Sequence, residues 1–539
     1  MSKLLTAILV IASITIHSTT TQAQERVSYD WDEWHRKENR EEIARIYYGE
    51  VDKAIENMQS RLASEPQTDP ELLFGLSLAW SVKKDSNRSI EYFGMALENG
   101  LPISRFMTNM PGFETLYQQS AFINAIKPYI NKPVHGPMIG NLTDNDCNIW
   151  FRTWQEADVM VNVFSDATLQ NLSATGKNQT KAADDYTTVV NIDGLKPDTE
   201  YFYTVSVNQT DAGSTFSFKT LPQEGLPAEF SVGFGGCSAY NPEFERIWDT
   251  IATHEMEAFL TLGDNVYANH HTLPQVNRFC YYQRQSREEF LRLTSRIPYI
   301  GIWDDHDFGE NDSYGGSEMY EPAWKVDILE VFKENFANPY YATDGVPGVW
   351  FDYTIGDVQF FMLDGRYYRQ PSDDGSTSML GPVQLQWLKD ELLKSTATFK
   401  VIVSPVNWSD DSKGLMEGRI DTWEGYRKER EDIFSFLTEN DITGIFLLSA
   451  DRHRHDAWKH YREGTYPLYE FTSSRLTNIH YHALIPQALF GYNEKNGFAI
   501  LTFNTEAGQP YVVYTVYSID NELIHRIRVY LHQMGVSER

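Results

Sequence analysis

The spacing of apolar and polar residues changes twice along the chain, and each change marks a different kind of element. Across residues 40–130 apolar positions recur at helical spacing. Ile55, Met58 and Leu62 in residues 52–66 correspond to Ile90, Phe93 and Leu97 in residues 87–102, and a proline follows each set. Gly100-Leu101-Pro102 predicts a sharp helix stop. Over residues 134–222 the period falls to two. Residues 148–154, Asp158–Phe164, Thr187–Ile192, 201–207 and 215–219 are short alternating runs split by Asp, Asn, Gly and Thr, the pattern of an antiparallel β-sandwich. Leu221-Pro222 reads as the linker that ends it. From about Glu229 onward, apolar strand runs alternate with helical segments at residues 242–254, 381–395 and Arg427–Glu439, which predicts layered sheets flanked by helices. The last runs, residues 499–504, Tyr511–Ser518 and 522–530, read as antiparallel strands that close a second sheet.

A chain of 539 residues calls for more than one domain. Apolar content of 41% with 14% aromatics supplies real cores. A formal charge of −29 excludes nucleic-acid binding by a basic surface, because no basic stripe is present to release counterions. The acidic balance suits a protein that holds cations and stays soluble outside the cell. Residues 1–23 have the marks of a secretory signal peptide: Lys3, an apolar run over residues 4–16, and small residues ending at Ala23. That run is too short to span a bilayer, and no other stretch is apolar enough. The expected product is soluble, without a transmembrane anchor, and secreted or periplasmic. Three cysteines leave at least one thiol unpaired even if Cys147 and Cys280 join, which their positions leave open.

Metal-ligand residues gather just after the apolar strand runs. Asp264, in Gly263-Asp264-Asn265-Val266-Tyr267, is a carboxylate placed to bridge two cations, although Gly-Asp also makes ordinary turns. Cys237 follows the run 229–234 and, as a thiolate, ligates transition metals; as a thiol it is a small buried residue. Tyr267 offers a phenolate, and the two together favour a trivalent Lewis-acidic ion such as ferric iron. Asp304-Asp305-His306-Asp307 sets three carboxylates around an imidazole, which is costly unless a cation lies among them. Asp451-Arg452-His453 follows a nearly wholly apolar stretch, and His453 is placed to ligate or to protonate a leaving group. No Walker loop, His-Glu-x-x-His or Gly-x-Ser-x-Gly elbow occurs.

These segments in order resemble the alkaline phosphatase D (PhoD-like) metallophosphatase family. The resemblance rests on Gly263 to Tyr267, on Trp-Asp-Asp-His-Asp-Phe-Gly-Glu-Asn-Asp over residues 303–312, on Leu363-Asp364-Gly365-Arg366-Tyr367-Tyr368-Arg369, on Leu-Gly-Pro-Val-Gln-Leu-Gln-Trp-Leu over residues 380–388, on Asp421-Thr422-Trp423-Glu424-Gly425-Tyr426, and on Pro467-Leu468-Tyr469-Glu470-Phe471-Thr472-Ser473-Ser474. It implies an α/β metallophosphatase sandwich, mixed sheets flanked by helices, over residues 223–539. An all-β sandwich similar to fibronectin and purple-acid-phosphatase domains would precede it at residues 133–222. Residues 24–132 resemble tetratricopeptide repeats in too few copies for a free solenoid, so a packed helical appendage is expected, with docking of a protein partner on residues 40–130 as the alternative.

The family implies hydrolysis of a small phosphoester by a metal-activated water, with iron (Fe3+) and calcium at the site and other divalent cations as substitutes. By that resemblance Cys237, Asp264 and Tyr267 would hold iron, and Asp264 would bridge to calcium together with Asp305 and Asp451. His306 and Asn407 would lie near the phosphate. Arg366 and Arg369 would orient substrate or pair with carboxylates. Two departures stand out. Ala450-Asp451-Arg452-His453 replaces the usual Gly-Asp-Val-His, and Arg475 stands where Gly is usual. Those arginines would recognise an anion or displace a metal. The rival readings are a phospholipase-type phosphodiesterase, and a non-catalytic anion- or peptide-binding protein on the same scaffold.

Overall fold

A computed structural model describes residues 39–64, 68–371, 378–410 and 421–536. The expected leader at residues 1–23 lies outside the described residues. Helices Arg40–Tyr47, Val51–Ser64, Pro70–Val82 and Ser86–Glu98 open the chain. Pro70–Val82 is apolar all round, which buries it; Asp69 caps it by accepting from the Glu71 amide, and proline occupies its first turn. Phe74 packs with Phe106 at 4.9 Å, Phe113 at 5.2 Å and Phe279 at 5.7 Å between ring centroids. Phe279 belongs to helix Pro274–Gln285 of the following α/β region, so the opening helices share a core with it.

Seven strands form the sandwich: β1 (His135–Leu142), β2 (Cys147–Arg152), β3 (Asp158–Phe164), β4 (Leu172–Gln179), β5 (Thr187–Ile192), β6 (Glu200–Val207) and β7 (Thr210–Lys219). Their sheets run β1-β2-β5 and β4-β3-β6-β7. The hydroxyl of Tyr201 accepts from the Lys196 amide at 3.0 Å and pins the corner before β6. Trp150 Nε1 donates to the Glu334 carbonyl at 2.8 Å, and the Tyr203 hydroxyl to the Ser295 carbonyl at 2.7 Å, docking the sandwich on the region that follows.

That region holds two mixed sheets. In the first, β8 (Glu229–Gly235), β9 (Ala258–Leu262) and β10 (Tyr299–Ile302) are parallel. The closing strands β18 (Gly497–Asn504), β19 (Tyr511–Ser518) and β20 (Leu523–Tyr530) add antiparallel to β8, giving the order β10-β9-β8-β18-β19-β20. They extend the first sheet, whereas their pattern had predicted that they close a second one. The second sheet is built on parallel β12 (Val358–Met362), β13 (Phe399–Val403), β14 (Ile445–Ser449) and β16 (Leu468–Ser473), flanked antiparallel by β11 (Phe351–Ile355), β15 (His455–His460) and β17 (Phe490–Tyr492). Phe503 meets Phe360, Phe399 and Phe446 at 6.0, 5.7 and 6.1 Å, and Phe471 stacks on Tyr514 at 4.5 Å, so the sheets face each other across an aromatic core. Strands β9, β10, β13 and β14 are buried along their whole length.

Candidate metal centre

Cys237, Asp264, the Asp304–Asp307 run and Asp451 each lie one to five residues beyond the carboxyl end of β8, β9, β10 and β14. The loops are tied to one another: the Cys237 amide donates to the Gly263 carbonyl at 3.2 Å and the Ser238 amide to the Asp264 carbonyl at 2.8 Å. Gly263 has φ +100, and a Cβ there would stand 2.8 Å from the Asp304 nitrogen. Five candidate ligands of the site adopt the left-handed region: Cys237 (φ 59), Asp264 (φ 52), Asp312 (φ 60), Asp451 (φ 60) and His453 (φ 47). Each such conformation costs roughly 1–3 kcal/mol, and strain of this kind concentrates where side chains must be aimed.

The Asp304–Asp307 run divides its labour. Asp307 accepts the amides of Asp304 (3.0 Å), Asn265 (3.0 Å) and Val266 (3.2 Å), which fastens the β9 and β10 loops together. Asp304 takes the Arg366 guanidinium. Asp305 is left facing Asp264 and His306, with one ligand atom of each within 4.8 Å of the others. Cys237, Asp264 and His453 form a second such group, and Asp305, Asp312 and Asp421 a third. Tyr267 joins the first two groups: its hydroxyl donates to Asp264 at 2.8 Å, lies 3.3 Å from His453 Nε2, and its ring stacks on His306 at 4.1 Å. His306 Nδ1 is held by Asn269 Oδ1 at 2.5 Å.

Burial, and then the neighbouring carboxylates, push Asp264, Cys237 and Tyr267 well above their ordinary pKa values. Asp305 differs. Burial opposes its ionisation, but His306 and Arg366 hold it below the usual carboxylate range. A buried thiol, phenol and several carboxyls that resist ionisation together are the signature of a donor set waiting for positive charge. Asp304 Oδ2 and His453 Nδ1 are buried with no hydrogen-bond partner among the described residues, which fits the same account. Thiolate, phenolate and imidazole suit a Lewis-acidic transition ion, and the oxygen-only group at Asp305, Asp312 and Asp421 suits a hard ion.

Several residues singled out in the sequence have other company. Arg366 and Arg369 are fully buried. Arg366 pairs with Asp304 and Asp421, the latter at 2.6 Å, and Arg369 also takes Asp421. They neutralise carboxylates, the second of the two roles the sequence offered them. Asn407 donates to Thr472 Oγ1 (2.9 Å), Ser449 Oγ (3.2 Å) and Glu470 (3.3 Å), and its Oδ1 is buried without a partner among the described residues. Asp451 gives its carboxylate to Arg452, the Nε lying 2.8 Å away, much as Asp421 does to Arg366 and Arg369, and the carboxylates grouped with Asp305 are those of Asp312 and Asp421. Ala450 is not in the left-handed region; its methyl lies over Gly236. The departure that carries strain is Arg475, at φ 77. No disulfide forms among the described residues, and Cys147, Cys237 and Cys280 are all buried.

Sequence reasoning did not reach Asp312, Asp421, His480, His482 or Arg40. Asp312 and Asp421 both lay inside motifs that carried the resemblance, without a role of their own there. Arg40 donates to the Tyr267 carbonyl across 227 positions of sequence, with no local signal.

A two-sheet α/β sandwich with hard and soft ligands at its strand ends defines a metallophosphatase. The PhoD-like phosphatase profile matches residues 232–488, and that of the PhoD-like phosphatase N-terminal domain matches residues 126–222. The chain belongs to the PhoD-like phosphatase family. It is 22% identical over 349 residues to alkaline phosphatase D of Bacillus subtilis (strain 168), covering 56% of this chain and 58% of that protein. It is 26% identical over 224 residues to purple acid phosphatase 23 of Arabidopsis thaliana, covering 38% and 44%. The alignments thus span about half the length of these relatives. Among solved structures it resembles PhoD, with TM-score 0.60 and 18% identity over 72% of this chain and 91% of that one. It also resembles the purple acid phosphatase PPD1 of yellow lupin (Lupinus luteus) seeds, with TM-score 0.55 and 13% identity over 76% of each. These likenesses show the metallophosphatase fold.

Proposed function

We propose that the chain is an exported, metal-dependent phosphoester hydrolase acting on small phosphomonoesters or phosphodiesters. The observation that carries this is the shared carboxylate: Asp264 belongs both to the Cys237–His453 group and to the Asp305–His306 group, with Tyr267 against both. Cys237, Asp264, Tyr267 and His453 would hold iron, and Asp305, Asp312 and Asp421 calcium. Cations bound there would draw charge from phosphoryl oxygens and acidify a water. The expected leader at residues 1–23 supports export; no helix among the described residues is long and apolar enough to cross a membrane.

The protein groups do the rest. Arg366 balances the carboxylates of Asp304, Asp305 and Asp421 from behind. His306 donates from Nδ1 to Asn269, so its neutral ring presents an Nε2 lone pair that can take a proton and return it to the leaving oxygen. Tyr267, stacked on that ring, fixes its plane.

The deciding experiment combines metal analysis of natively purified protein with turnover of an aryl phosphate and a bis-aryl phosphate. The expected result is iron and calcium in the wild type. Cys237→Ala and Asp264→Asn should both lose iron, and kcat should fall at least about 100-fold, as when groups acting on developing charge are removed. Metal-free protein that hydrolyses neither ester after reconstitution overturns the reading and leaves an anion-binding scaffold.

A further inference from the structure

Beyond β16 the chain turns at Arg475 and runs to Asn478, Ile479, His480, Tyr481 and His482, a stretch the phosphoesterase reading does not use. His480 and His482 are spaced by two, so an extended backbone presents both to one side. That backbone is firmly held. Asn478 Oδ1 accepts the His480 amide at 2.8 Å, the Asn478 amide donates to the Cys237 carbonyl at 3.2 Å, and Asn493 Nδ2 donates to the His482 carbonyl at 2.8 Å.

Both rings converge on His453. One nitrogen of each of His453, His480 and His482 lies within 4.8 Å of those of the other two. Ring centroids are separated by 5.2 Å (His453–His480), 5.4 Å (His453–His482) and 4.9 Å (His480–His482), with planes crossing at 79°, 81° and 86°. The triangle is almost equilateral. Imidazole nitrogens bind zinc at about 2.0–2.1 Å, and the centroid lies roughly 1.1 Å further out, so three rings at tetrahedral angles have centroids about 5.2 Å apart. Edge-to-face packing of three rings gives similar distances without an ion. A second observation favours the ion: His453 is only 6% exposed, its Nε2 faces Tyr267, and its Nδ1 has no partner among the described residues. Arg452, which precedes His453, is paired with Asp451.

We propose that His453, His480 and His482 form an additional site for a borderline divalent transition ion, with Zn2+ as the probe, at the rim of the main centre. The fourth position is open to water or to an anionic oxygen. His453 links this site to the group containing Cys237 and Asp264. The proposal shares His453 with the proposed iron centre, but zinc stoichiometry and ester turnover are read separately, so failure of either reading is seen apart from the other.

The test uses the full chain, stripped of loosely held divalent ions and titrated with Zn2+ by calorimetry, with iron measured in the same samples. Wild type is expected to bind one more equivalent than His480→Ala, His482→Ala, or the gentler His480→Gln and His482→Gln. All four variants should keep their iron. Losing one of three ligands should weaken zinc by more than the roughly 10–100-fold that second-sphere partners command. Equal zinc stoichiometry and affinity in wild type and all variants overturns the proposal. Loss of iron from the folded Gln variants overturns it too, because the two histidines would then serve the main centre.

Discussion

Arg452 shows how one residue can remake a ligand set. Its guanidinium grips Asp451 and lies 3.9 Å from Asp421. Burial raises the Asp451 carboxyl to about 6, against the pull of Arg452 toward ionisation. A guanidinium about 4 Å from a carboxylate oxygen competes with a metal ion for it, by several kcal/mol at an effective dielectric of about 20. Replacing Arg452 with Val, the residue the family usually carries there, should therefore free Asp451 and tighten calcium binding by at least about tenfold. Calorimetric titration of calcium into both proteins decides it, and unchanged affinity would mean that Arg452 displaces nothing. The same residue shows where sequence reasoning stopped. Strand-end position marked Cys237, Asp264 and Tyr267 as candidates, and the family resemblance supplied the roles proposed for them. It could not tell which carboxylates an arginine would claim, because Arg366 and Arg369 reach Asp421 across more than fifty positions.

Elements were legible in proportion to how one-sided their burial is. Thr187–Ile192, Asp158–Phe164, Arg427–Glu439 and Tyr511–Ser518 emerge with the bounds their patterns indicated. Strand β4 was missed because it lies at a sheet edge with Gly176 as its one buried residue, so no period of two is written into it. The helix expected over residues 242–254 shrinks to Ile247–Ala252, since Asn241 and Glu245 bond each other and hold the preceding turn. Glu470 on β16 is an element-scale knot that no local pattern announced. It accepts from the Trp408 amide (3.0 Å), Ser449 on β14 (2.6 Å), His460 on β15 (2.9 Å) and Ser409. Burial works against its ionisation, yet His460 and the hydroxyls hold its pKa below the ordinary value of 4.5. With the folded value depressed, its contribution is fully present above pH 4.5 and is lost as pH falls through the folded value. Glu470→Gln should destabilise by about 1.5–3 kcal/mol at pH 7, the scale of a hydrogen bond to a charged group. Thermal melts should show the gap closing as pH falls below that value; a gap that persists undiminished in acid would assign the loss to shape and not to charge.

At the scale of the whole molecule, the opening helices do more than cover a surface. Their core runs through Phe74 and Phe279 into the α/β region, and Arg105, paired with Glu71 at 2.8 Å, lies over both rings at 4.9 and 5.0 Å. From the first turn of helix Arg40–Tyr47, Arg40 reaches the carbonyl of Tyr267, whose hydroxyl bonds Asp264. A segment whose sequence suggested an appendage thus holds the backbone of a proposed iron ligand. Were these helices merely peripheral, changes there would alter stability alone. Arg40→Met keeps the apolar stem and removes the donors, so the shared core around Phe74 should survive and Tm should shift little. The Tyr267 carbonyl would lose its charged partner, and outer-sphere partners of metal ligands typically command about 10–100-fold in metal affinity or activity. Iron retention against a chelator and kcat should fall together within that range, with KM unchanged, because Arg40 lies behind the ligand and touches no substrate. Full iron retention with a lowered Tm would return the helices to a purely structural role.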